Sequence, residues 1–91
     1  MDLKKFEVFV DVSETGNLTE TGRRLGYTQS GVSHIIAGLE AEMGFPLLTR
    51  GRRGVELTDN GALIAEVMRH LLLENGRLEQ TVSAITGVTV G

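Results

Sequence analysis

Thr28, Gln29 and Ser30 stand in a row at the start of an apolar-patterned stretch, and Ser33 and His34 follow one turn on. These side chains donate and accept hydrogen bonds without building a core. An exposed helix start is therefore being spent on polar recognition. A second set lies beyond Gly44, where every charge up to Val55 is positive: Arg50, Arg52 and Arg53. Guanidiniums match phosphate geometry bidentately, and narrow minor grooves attract them. Gln bonds bidentately to adenine and Ser is permissive. The two sets together carry the chemistry of double-stranded DNA recognition, with Arg23 and Arg24 as further candidate phosphate contacts.

Each residue also has a plainer role open to it. Thr28 is a helix cap whatever else it does. Gln29 and Ser30 can be solvated surface residues, and Arg23 and Arg24 can pair with Glu20 or nearby acids for little energy. Arg50 can brace the fold through backbone carbonyls. His34 is expected to be exposed, within reach of a base or phosphate, and His70 to be a surface residue rather than a ligand.

Composition narrows the function classes. Ninety-one residues with no cysteine make one domain, without a disulfide framework or a thiolate metal site. Two isolated histidines form neither a triad nor a metal site, no paired carboxylates or glycine-rich phosphate loop appears, and no cofactor is expected. No signal peptide opens the chain and no apolar run approaches a membrane span, so a cytoplasmic domain is expected. The net charge of −3 argues against nucleic acid only as a total, because it is unevenly spread. Residues 1–22 carry two Lys against five acids, and residues 59–91 two Arg against four acids. Residues 23–58 carry five Arg against three Glu. Screening confines a charge to about 8–10 Å, so a local basic patch can still meet phosphate.

Four helices and one hairpin must position these residues. The first helix spans about Asp2 to Glu14, with Leu3, Phe6, Phe9 and Val10 on the helical period. Asp2 is placed to cap it, and Gly16 to end it in a left-handed conformation. Thr19 is expected to cap a short second helix that closes at Gly26. Thr28 caps a third, with Val32, Ile35, Ile36 and Leu39 inward and Gly44 as its stop. In "FPLLTRGRRGVELT", Leu47 and Leu48 face Val55 and Leu57 across a polar tip, which reads as a β-hairpin with arginines at its turn.

Thr58 then caps a long helix with Asp59 at its positive end. Ile64, Met68, Leu71, Asn75, Leu78, Val82 and Ile85 alternate in steps of four and three, a heptad seam with a single Asn in an a position. The seam reads as a homodimer interface, with Leu72 and Ala65 off it and free to pack on the small domain. The plainer alternative is an amphipathic helix lying on a core. Gly76 in mid-helix costs about 1 kcal/mol and allows a bend. The whole order is that of a mainly α, winged helix–turn–helix with a long C-terminal linker (dimerisation) helix. It divides into residues 1–57, the DNA-binding domain, and residues 58–86, the linker helix.

The stretch "TQSGVSHIIAGLE" resembles the S-Q-P-A-L-S-x-x-I-x-x-L-E recognition helix of LysR-type transcriptional regulators. "GFPLLTRGRRGVELTDNG" is similar to their L-G-x-x-L-F-x-R-x-x-x-x-x-x-L-T-x-A-G. The resemblance runs over essentially the whole chain. It implies a bacterial regulator that binds promoter DNA as a dimer, or as a tetramer at full length. It also implies that Gln29, Ser30, Ser33 and His34 face the major groove, that Arg52 and Arg53 form the wing, and that the long helix pairs two subunits, typically antiparallel. Family members continue into an effector domain that holds a small-molecule inducer, and "GVTVG" at positions 87–91 looks like its first strand. RNA polymerase is a further candidate partner. The chain departs from the family at Thr21-Gly22, which is expected to loosen the second helix, and at Ser30-Gly31, expected to loosen the start of the third. His34 stands where Arg is common, and Leu47-Leu48 replace Leu-Phe.

A winged-helix protein-interaction module remains an alternative, although such a module would show an apolar patch where the arginines stand. A molybdate-responsive winged-helix regulator is the nearer rival within the DNA-binding class.

Overall fold

A computed structural model of the chain describes residues 1–87. Helix α1 (Leu3–Thr15) begins at Asp2, whose carboxylate accepts from the Lys4 N–H at 2.8 Å. It ends at Gly16, which takes φ 65° and donates its N–H to the Val12 carbonyl. A glycine holds this left-handed conformation without the steric cost that other residues meet. Helix α2 (Leu18–Leu25) follows, then α3 (Gln29–Met43), strands β1 (Leu48–Gly51) and β2 (Gly54–Leu57), and α4 (Asp59–Thr86). The strands form an antiparallel ribbon in which Leu48 pairs Leu57 and Gly51 pairs Gly54. Helix α1 packs against α2, α3 and α4, so it forms the centre of the domain.

The core is small and aliphatic. Val8, Phe9 and Val12 from α1 meet Leu18 from α2, Val32, Ile36 and Leu39 from α3, Leu47 from the connection, and Ala65 and Met68 from α4. Ile35, Leu48, Val55, Leu57, Ile64 and Leu72 pack at its margin. Ala65 and Leu72 thus lie on the domain, as the sequence suggests.

Three expectations need correction. The cap of α2 is Asn17, not Thr19: its side-chain oxygen accepts from the Glu20 N–H at 3.0 Å, and Thr19 is already helical. Both residues suit a cap, and the chain enters the helix two positions earlier because Leu18 is buried and needs helical geometry to reach the core. Thr21 and Gly22 tighten α2 instead of loosening it. The Thr21 side chain is fully buried and shares a hydrogen bond with the Thr15 hydroxyl at 3.0 Å. A Cβ on Gly22 would lie 2.5 Å from the Tyr27 carbonyl oxygen, so the glycine is what allows α2 and the following turn to close. Met68, expected on the dimer seam, is buried in the domain's own core. The first half of α4 has a domain to lie on, and its inner face takes Ala65, Met68 and Leu72.

Gly76 does not interrupt α4, which is helical for all 28 residues. At about 1.5 Å per residue such a helix is roughly 42 Å long. The molecule measures 50 × 25 × 20 Å, so the second half of α4 extends beyond the domain. Gly87 caps α4, and the rest of the segment expected to open an effector domain lies outside the described residues.

Candidate nucleic-acid interface

The interface is set by the start of α3. Thr28 has an extended backbone, and its hydroxyl accepts from the Gly31 N–H at 3.0 Å, a regular N-cap. A Cβ on Gly31 would lie 3.1 Å from that hydroxyl, so the glycine sits close against its cap and not in open space. The Ser30 hydroxyl lies 3.2 Å from the same oxygen. Thr28, Gln29, Ser30 and His34 are exposed and Ser33 is half-buried, while Val32 and Ile36, on the opposite face, are buried. The apolar stripe thus turns the polar stripe outward.

The ribbon is held to α3 by a residue that sequence reasoning missed. Glu40 accepts from the Leu47 N–H at 2.7 Å and the Leu48 N–H at 3.3 Å with one carboxylate oxygen. These two donors lie at the foot of β1, so Glu40 sets where the hairpin leaves the helix. Thr58 clasps the other side: its N–H reaches the Leu47 carbonyl at 3.0 Å, and its hydroxyl donates to the Pro46 carbonyl at 2.8 Å. The acid in the "GLE" motif could have been found by asking which group satisfies the backbone between α3 and β1. At the tip, Gly54 approaches the Gly16 carbonyl, so the ribbon also rests on the α1–α2 connection.

The result is a continuous polar face. Gln29, Arg50, Arg53 and the α1–α2 connection from Gly16 to Thr19 line a depression of about 300 Å³. Gln29 and Arg50 also line a shallow surface with Ser30, Ser33, His34 and Ala37. The two join through those shared residues, which puts the start of α3 and the arginine ribbon on one side of the molecule. Arg50 crosses between them, its Nη2 donating to the Ser33 hydroxyl, and this replaces the backbone bracing considered from sequence. Arg52 is exposed at the tip and lines neither depression.

Charge pairing separates the arginines. Arg23 binds Glu20 through two nitrogens, which holds the Glu20 carboxyl below its ordinary value of 4.5 and raises the Arg23 guanidinium further. Arg24 lies 3.1 Å from Asp11, a buried carboxylate whose other oxygen has no partner. Arg69 pairs with Glu66 and Arg77 with Glu74. Among the described residues, Arg50, Arg52 and Arg53 pair with no carboxylate.

The family model of bacterial regulatory helix-turn-helix proteins of the lysR family matches residues 3–62. The chain belongs to the LysR family. It is 39% identical over 92 residues to the HTH-type transcriptional regulator YvbU of Bacillus subtilis, covering 100% of this chain and 32% of that protein. It is 43% identical over 84 residues to a probable cat1 operon transcriptional activator of Acinetobacter lwoffii, covering 92% of this chain and 27% of that one. The chain therefore spans about a third or less of the length of these relatives. Among solved structures, the BenM DNA-binding domain bound to catB site 1 DNA superposes with TM-score 0.92 at 29% identity, covering 99% of this chain and 100% of that one. The CbnR DNA-binding domain in complex with DNA superposes with TM-score 0.88 at 32% identity, covering 94% and 99%. The winged helix–turn–helix architecture of LysR DNA-binding domains is thus that of this chain.

No helix of the described residues is long and apolar enough to cross a membrane. No group of three or more His, Cys, Asp or Glu among them is placed to hold a metal ion.

Proposed function

We propose that this LysR-family chain is the DNA-binding part of a cytoplasmic, sequence-specific transcription regulator, with no catalytic role of its own. Helix α3 enters the major groove by its amino end. Gln29, Ser30, Ser33 and His34 meet base edges there, and Thr28 lies beside the backbone. The ribbon carries Arg50, Arg52 and Arg53 to phosphates or the adjoining minor groove. The single observation that carries this reading is the shared face on which Gln29, Arg50 and Arg53 lie together, the ribbon arginines having no carboxylate partner among the described residues. The DNA complexes of the BenM and CbnR domains, similar over nearly the whole chain, support the same assignment. Arg23 and Arg24 play a smaller part, because each is engaged by a carboxylate.

The regulator acts as a homodimer through α4. Val67, Leu71, Leu78, Val82 and Ile85 are exposed, and Ile64 is half-buried. Ile64 and Ile85, Val67 and Val82, and Leu71 and Leu78 are equidistant from the midpoint between Glu74 and Asn75. A seam with that internal symmetry pairs with itself when two helices run antiparallel about the midpoint. Asn75, half-buried and bonded to Glu79 at 3.4 Å, then lies at the crossing. Residues 1–57 form the reading unit and residues 58–86 the linker. An inducer-binding domain beyond, tetramer formation and contact with RNA polymerase belong to the longer protein.

Duplex binding measured across a salt series tests the proposal. Log affinity is expected to fall linearly with log salt, at a slope of about −0.9 per phosphate neutralised. Gln29→Ala should lose about 1–3 kcal/mol on the preferred site and relax selection at one base step. Binding that ignores salt, or an unaltered preference across a randomised library, refutes it.

A further inference from the structure

The bond between Arg50 and Ser33 joins two side chains that both face the duplex in the proposed reading, and its direction is fixed. A guanidinium has N–H donors and no acceptor, whereas a hydroxyl has one proton and two lone pairs. Arg50 therefore donates, and Ser33 Oγ accepts. The Ser33 proton must point elsewhere. Within a helix the usual acceptor for it is the carbonyl four residues back, here that of Gln29. Among the described residues Ser33 makes no such bond. Its proton is left to face the shallow surface shared with Gln29, Ser30, His34 and Ala37. The adjacent positive charge of Arg50, with no carboxylate partner among the described residues, repels an approaching amine hydrogen and attracts a lone pair.

We propose that Arg50 fixes Ser33 as a hydrogen-bond donor, so that this position of the recognition helix selects an acceptor on the base edge. Guanine suits it best, since both of its major-groove groups, N7 and O6, are acceptors. Cytosine suits it worst, because it presents there the N4 amine. A serine alone would be indifferent. Paired with Arg50 it distinguishes a G·C pair from C·G. Arg50 is a positioning residue in this role: it specifies sequence through Ser33, whatever phosphate it also touches. The inference rests on the DNA-binding reading and goes beyond it in naming the base chemistry that one residue selects.

Selection of bound sequences from a randomised duplex library, carried out with the 91-residue chain and its variants, tests it. Ser33→Ala should lower the guanine preference at one position per half-site by about fivefold or more, the low end of a single base-pair contact. Arg50→Gln, whose amide both donates and accepts, should lower the preference at that same position while weakening all sequences alike. The double variant should lose no more at that position than Ser33→Ala alone. Both side chains are at the surface, and circular dichroism checks that the fold is kept. An Arg50→Gln selection with that position unchanged overturns the proposal. So does a cytosine preference there, or a Ser33→Ala variant that alters no position. A parent chain that enriches no sequence overturns the DNA-binding reading itself, which separates the two failures.

Discussion

Arginines of one chemical type do different work here because of what lies beside them. Arg53 lines the polar depression with no carboxylate partner among the described residues, while Arg23 is clamped to Glu20 and Arg24 to Asp11. An exposed ion pair is worth only about 0–1 kcal/mol, so pairing does not forbid a phosphate contact. It does neutralise the local field that would draw one. Arg53→Ala should therefore weaken binding to every sequence and lower the salt slope by roughly one, while Arg23→Ala should leave the slope in place. Titrating both variants against one duplex at several salt concentrations checks this, and equal losses would contradict it. The ribbon arginines were legible in sequence as a run without acids. The Asp11–Arg24 pair was not, because it joins two helices and depends on α1 burying a carboxylate that periodicity alone leaves unplaced.

Close approach between elements decides where the ribbon sits. A Cβ on Gly61 would lie 2.1 Å from the Leu47 carbonyl oxygen and 2.9 Å from its carbon. That carbonyl is held by the Thr58 N–H, and the Leu47 side chain is fully buried, so neither side can yield easily. Helix propensity favours Ala over Gly by about 1 kcal/mol, but overpacking costs typically about 1–3 kcal/mol. The clash wins. Gly61→Ala is expected to lower stability by up to about 2 kcal/mol net of that propensity gain, and urea unfolding measures it; a stabilised variant would show that α4 and the backbone of Leu47 are not so closely apposed. Most helix boundaries were readable from caps and stops at Asp2, Gly16, Thr28, Gly44 and Thr58. What escaped was tertiary: Gly22 reads as a helix weakener in sequence and becomes a packing requirement only once the Tyr27 carbonyl lies over it. Asn17 and Thr19 are equally good caps on paper, and burial of Leu18 decides between them.

At the scale of the molecule, α4 carries two faces with separate duties. Its first half covers the core with Ala65, Met68 and Leu72, and an exposed apolar line continues along the second half through Leu78, Val82 and Ile85. The heptad spacing picks out Leu78, Val82 and Ile85, and all three are exposed. Before Asn75 one position departs from the repeat, since Met68 is drawn into the domain and Val67 is left outside, a competition that a one-dimensional repeat cannot contain. Val82→Glu would set a charge in the proposed seam, far from the core. It should shift the sedimentation equilibrium toward monomer and leave the helical circular-dichroism signal of the chain nearly unchanged; an undiminished dimer would place the subunit contact elsewhere.

The central claim is that α3 and the arginine ribbon meet one duplex from the same face. The chain has no cysteine, so a single one placed at Ala37 or at Arg52 can carry a DNA-cleaving reagent to one defined element. Cleavage mapped along a bound operator should fall in the same half-site for both, in adjoining grooves roughly half a helical turn, ~5 bp, apart. Cleavage from only one of the two positions, or from the two on unrelated stretches of the duplex, would contradict the account.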